Sequence, residues 1–132
     1  MFEFSTVKPV YHQIADWLEN EILKGAFKEG ERIPSQAAIA QQLHVNPLTA
    51  AKGVSILESR GIVERRRRGL GLFVGADAQK RIYEYRKNES LNALLDELLT
   101  EADTLGIDLD ELCRAIEERA ETRKSSPAES EQ

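Results

Sequence analysis

The sequence predicts a mostly α-helical fold with a small β wing: an N-terminal winged helix-turn-helix followed by a C-terminal helical hairpin used for dimerisation. Three observations carry this reading. Two short helices, each with its own start signal, flank His44-Val45-Asn46; four consecutive arginines then separate two short β-type runs; and leucine-rich amphipathic segments fill the C-terminal part. Residues 1–76 are therefore expected to form the winged helix-turn-helix, 77–120 a two-helix dimerisation region and 121–132 a disordered tail.

The spacing of Val10, Ile14, Leu18 and Ile22 predicts a helix from about Val10 to Lys24, with Trp17 beside the stripe and Gly25 as a stop. Tyr11 and Trp17 are read as core side chains rather than ligand contacts. Ser35 can cap a second helix whose Ile39, Ala40 and Leu43 share one face. After the turn, Asn46 is a good cap and Pro47 suits the first helical position, where a missing N–H costs nothing. A third helix should run from Pro47 to about Arg60, with Ala50, Val54 and Leu57 inward and Leu48, Thr49 and Lys52 outward.

Beyond Gly61, Ile62-Val63-Glu64 reads as a strand, Arg65 to Gly71 as a loop and Leu72-Phe73-Val74 as the returning strand. Asp77 can cap a helix from about Ala78 to Asp103 bearing Leu91, Leu94, Leu95, Leu98 and Ala102, ended by Gly106. Asp108, with Glu111 three residues on, opens a last helix with Leu109, Leu112, Cys113, Ile116 and Ala120 on its apolar face. Such a hairpin exposes more apolar surface than it can bury alone, so a second copy is expected to cover it. The predicted interface is Leu91, Leu94, Leu95, Leu98, Leu109, Leu112 and Ile116.

Charge separates two jobs. The net charge of −5 is unevenly spread: residues 1–76 hold ten Lys and Arg against eight Asp and Glu, residues 77–132 eight against fifteen. Within residues 32–76 the balance is seven to two, so cations gather on the helix-turn-helix and wing. A lone arginine run is commonly a solvated surface, but directly after a helix-turn-helix it points to nucleic acid.

Other chemistries are poorly supported. The single cysteine, Cys113, permits no internal disulfide and is expected to be a buried, inert thiol. His12 and His44 lack a ligand cluster, Gly69-x-Gly71 lacks the helix a phosphate loop needs, and no nucleophile has a base nearby, so neither a metal, a cofactor nor catalysis is expected. With no apolar run of about 20 residues and no signal-like N-terminus, a cytoplasmic protein is expected.

The segment Pro9 to Val74 resembles the DNA-binding domain of the GntR family of bacterial transcription regulators. The matching residues are Tyr11-x-Gln13-Ile14-Ala15, Ile22-x-x-Gly25, Gly30-Glu31-Arg32-Ile33-Pro34-Ser35, Ile39-Ala40-x-x-Leu43-x-Val45-Asn46-Pro47-x-Thr49-Ala50 and Arg68-Gly69-Leu70-Gly71-Leu72-Phe73-Val74. Ala37, Pro47 and Ala51 stand where family members often carry arginine. Asn46-Pro47-x-Thr49 and the short C-terminal region look like the YtrA subfamily. The resemblance implies a homodimeric regulator, a repressor, on a palindromic operator in double-stranded DNA. Ser35, Gln36, Asn46, Leu48, Thr49, Lys52, Arg65, Arg66, Arg67, Arg68 and Gly69 are the candidate DNA-binding residues. The alternative, a winged-helix module for protein–protein assembly, would not need four arginines on its wing. A C-terminal region of about 55 residues is too short for a large ligand-binding fold, so any small-molecule effector would have to use a small pocket.

Overall fold

The computed structural model describes Phe4, residues 8–66 and residues 71–125. Six α-helices and one two-stranded sheet are described: α1 (Val10–Leu23), α2 (Gln36–Leu43), α3 (Pro47–Ser59), β1 (Val63–Arg65), β2 (Leu72–Val74), α4 (Ala78–Tyr85), α5 (Leu91–Leu105) and α6 (Leu109–Lys124), with a π turn over Arg86–Ser90. They form two compact units, one ending at Arg86 and the other beginning at Lys87.

In the first unit α1 buries Ile14, Ala15, Leu18 and Ile22. They meet Ile39, Ala40 and Leu43 of α2 and Ala50, Val54 and Leu57 of α3 in one core. Val10, expected on the same stripe, is exposed at 38%. It lies in the first turn of α1, and periodicity marks a face without saying how far along it partners extend. Trp17 is half-buried against the core. The α1–α3 crossing is close enough to require glycine: a Cβ on Gly53 would lie 2.7 Å from Ile14 Cγ2 and 2.9 Å from the Tyr11 carbonyl oxygen.

The caps of α2 and α3 match their sequence signals. Ala38 N–H donates to Ser35 Oγ at 3.0 Å, and Leu48 N–H donates to Asn46 Oδ1 at 2.7 Å, with Pro47 in the first turn. Between these helices His44 adopts the left-handed conformation (φ 58°) that ends α2, and Val45 N–H returns to Ala40 O at 3.0 Å.

The wing pairs Val63 with Val74, Glu64 with Phe73 and Arg65 with Leu72 in antiparallel register. The first strand thus starts one residue later than Ile62, and Arg65 belongs to the ladder rather than to the loop. Ile62 instead donates its N–H to Leu57 O at 3.0 Å, which holds it to the end of α3. The segment around Arg32 covers the other edge of β2: Gly30 N–H reaches Val74 O at 2.9 Å, Val74 N–H reaches Glu31 O at 2.8 Å and Ile33 N–H reaches Leu72 O at 3.0 Å. Arg67, Arg68 and Gly69 lie outside the described residues.

The expected domain boundary at residue 76 moves. Ala78 and Ile82 of α4 are 2% and 0% exposed within the first core, so α4 belongs to the first unit. Asp77 precedes α4 in the left-handed conformation (φ 58°) and makes no side-chain cap; its N–H instead donates to Glu29 Oε1 at 3.0 Å. The single helix expected from Ala78 to Asp103 is divided by the π turn, whose i to i+5 bonding inserts a residue and rephases the faces.

In the second unit Gly106 ends α5 in the left-handed conformation, and Glu111 N–H donates to Asp108 Oδ1 at 2.9 Å to start α6. α6 continues to Lys124, past the expected start of the tail at 121, with Arg123 and Lys124 favourably placed in its last turn. Residues 126–132 of the expected tail lie outside the described residues. Ala102 and Leu112 are buried, whereas Cys113 is exposed, contrary to expectation. Burial in this unit is limited, among the described residues, to Ala102 and Leu112, so a place on the apolar stripe does not by itself bury Cys113.

Candidate nucleic-acid interface

The cap that starts α3 also aims it. Asn46 Oδ1 and Pro47 hold the first turn, leaving Leu48 75% exposed and Lys52 exposed, while Thr49 is half-buried. A helix N-terminus that presents an apolar side chain and a hydroxyl in its first turn and a cation in its second has what a major-groove reading helix needs. Lys52 is held by its surroundings: its ammonium lies 5.8 Å from the Tyr11 ring centroid. Tyr11 is accordingly half-buried beside the α3 face rather than a wholly internal core residue.

A second group assembles where the start of α2 meets the wing. Arg32, Ser35, Gln36, Ala37, Arg65 and Gly71 help to line a cleft of about 430 Å³. Ser35 and Gln36 thus fall beside Arg65, and Arg32 joins them. Arg32 lies across the wing at Gly71, where a Cβ would stand 2.7 Å from its Nε. The φ of 93° at Gly71 is what favours glycine there, and the absence of a Cβ lets the flexible end of Arg32 lie close. In the sequence Arg32 stands out only as part of a motif, because its neighbour on the wing lies some forty positions along the chain.

The described wing arginines are not loose cations. Arg65 Nε donates to Glu58 Oε2 at 3.2 Å, and the Arg66 guanidinium lies 4.5 Å from the Phe73 ring centroid. Both arginines are exposed, so the Arg65 ion pair is weak and readily exchanged for a stronger anion such as a phosphate.

Behind this surface is a buried charge that the sequence pattern did not mark as functional. Glu19 of α1 is 1% exposed. Its Oε2 accepts from Arg60 Nη1 at 3.0 Å, and its Oε1 from Arg86 Nε at 3.1 Å. Arg86 also donates to Asn20 Oδ1 at 2.6 Å and to Asp16 O at 3.2 Å, and Arg60 lies over Tyr85 at 4.5 Å. One carboxylate thereby joins α1, the end of α3 and the end of α4. A charge four residues after the buried Ala15 was the available sign of its burial.

Among the described residues no group of His, Cys, Asp and Glu could hold a metal ion, and no helix is long and apolar enough to cross a membrane.

Comparison with known proteins agrees with this geometry. The model of the gntR family of bacterial regulatory proteins matches residues 10–74. The HTH-type transcriptional regulator YhcF of Bacillus subtilis (strain 168) is 32% identical over 114 residues, 86% of this chain and 92% of that protein. The HTH-type transcriptional repressor YtrA of the same strain is 32% identical over 110 residues, 83% of each. The structure of a GntR family transcriptional regulator from Listeria monocytogenes superposes with a TM-score of 0.70 at 28% identity, covering 87% of this chain and 98% of that one. Relatives matched over nearly their whole length, with the helix-turn-helix and wing inside the family segment, show that the chain belongs to the gntR family of bacterial regulatory proteins and is a sequence-specific DNA-binding transcription regulator, not an enzyme.

Proposed function

We propose that this chain is a cytoplasmic homodimeric repressor of the YtrA type that binds a palindromic operator. The observation that carries the reading is the exposed first turn of α3, flanked by a cleft with arginines from two elements. Leu48, Thr49 and Lys52 meet bases or position the helix against them, and Asn46 sets its entry. Ser35, Gln36, Arg32 and the wing, Arg65 to Gly69, meet the phosphate backbone. The similarity to a protein named as a repressor supports the direction of regulation.

The apolar faces of α5 and α6 support the dimer. Leu91, Leu94, Leu95, Leu98, Leu109 and Ile116 are all exposed, as is Leu99, which lies outside the stripe expected from the sequence. Leu112 is the exception among the expected interface residues; it is buried within its own unit. Exposed leucines this numerous on one short helical pair require a cover, and a second copy presents the same surface. Two-fold pairing places two α3 helices at half-sites about one DNA turn apart. Any effector is a small molecule that acts by favouring one dimer geometry over another.

Selection of duplexes from a random pool by the purified chain tests this reading. A two-fold symmetric consensus is the expected outcome; enrichment of nothing above input would favour an assembly module instead. The wing adds a second test. Replacing Arg65, Arg66, Arg67 and Arg68 by alanine should weaken selected and random duplexes alike, and lower the salt slope by roughly 0.9 for each phosphate the wing no longer neutralises. An unchanged slope would remove the wing from the interface.

A further inference from the structure

Arg86 is the last residue of the DNA-binding unit, and every nitrogen of its guanidinium is engaged there: Nε and Nη2 with Glu19 Oε1, Nη1 with Asn20 Oδ1, and Nη2 also with Asp16 O. The same Glu19 holds Arg60, the residue that ends α3. After Arg86 the π turn buries no residue. Burial of Ala78 and Ile82 already fastens α4 to the core, so holding its end does not require a buried charge. Well-packed apolar residues in place of a buried ion pair often leave stability little changed. A planar, multiply bonded guanidinium adds direction, which apolar packing does not.

We propose that Glu19 and Arg86 are positioning residues that fix where the chain leaves the DNA-binding unit with respect to α3, and so restrict the half-site spacing the dimer accepts. This rests on the dimeric DNA-binding reading above. A pivot confined to residues after Arg86 allows two α3 helices fewer separations than one that begins just after Ile82, the last residue of α4 that apolar burial holds. Each base pair inserted between half-sites turns them by about 35° around the duplex, so a restricted dimer discriminates between spacings.

The test uses the full chain, the palindromic duplex selected by the unmodified protein, the same duplex with one or two base pairs inserted or removed at its centre, and a single half-site. Arg86→Ala leaves the Glu19–Arg60 pair in place and should keep half-site affinity within about twofold, while a spacing penalty of about tenfold or more falls below about threefold. Glu19→Gln should collapse the penalty in the same way, and Arg86→Ala decides the matter if that buried substitution prevents folding. Thermal unfolding of each variant monitors the structural contribution, which by itself lowers affinity for all duplexes equally. A folded Arg86→Ala protein that keeps the original spacing penalty overturns the proposal, as does equal loss on every duplex including the half-site. An unmodified protein indifferent to spacing also overturns it while leaving DNA binding intact. Failure to bind any duplex would instead remove the functional reading on which it rests.

Discussion

Leu95→Asp is expected to turn the protein into monomers in sedimentation velocity and to weaken binding to a palindromic duplex by about 10²–10⁴-fold, the range that linking two binding events contributes. Leu95 is 45% exposed on α5, amid Leu91, Leu94, Leu98 and Leu99. Because it fills no core within its own chain, its replacement opens no cavity and the monomer should remain folded. A carboxylate at the centre of an apolar interface loses water without gaining a partner, and that loss occurs on both copies. Single half-site affinity should be unchanged. A variant that stays dimeric would put the interface on another surface.

Removing both arginines that hold Glu19 is expected to destabilise the first unit by about 3–5 kcal/mol, since the change strands a carboxylate that is 1% exposed. The double variant Arg60→Ala/Arg86→Ala, unfolded in urea, gives this number. Both arginine side chains are about a quarter exposed (25% and 29%), so they lose little by being absent, whereas Glu19 cannot reach water without opening the α1 packing. Replacing Glu19, Arg60 and Arg86 together by leucine and two methionines should restore most of the stability, because no charge is then left buried. A double variant within about 1 kcal/mol of the parent would mean that the pair behaves as a surface salt bridge.

Features set by near neighbours were legible in the sequence. Ser35, Asn46, Pro47, Gly106 and Asp108 each act on a backbone a few residues away, and each ends or starts its helix as read. The returning strand Leu72–Val74 and the outward start of α3 follow from the same short-range rules. Arg32 beside Gly71 and Glu19 between Arg60 and Arg86 were illegible, because their partners are separated by tens of positions and meet only in the folded chain. Asp77 had the right residue type for a cap, yet its N–H is drawn to Glu29, and tertiary context overrode the local preference. The π turn carries no sequence signal of its own, and the boundary lies at Arg86 rather than residue 76 because Ala78 and Ile82 pack into the first core. Cys113 shows a related limit: an amphipathic stripe identifies which side is apolar, but not how much of it one chain can cover.

The central claim is that α2, the turn, α3 and the wing read a particular duplex. Fluorescence anisotropy titration of the full chain against the selected palindrome and a shuffled duplex of equal length, repeated between about 50 and 200 mM salt, tests it most directly. Both affinities should fall steeply with salt, and the selected duplex should bind at least about 10³-fold more tightly near physiological ionic strength. Equal affinity for the two duplexes at every salt concentration would contradict the account.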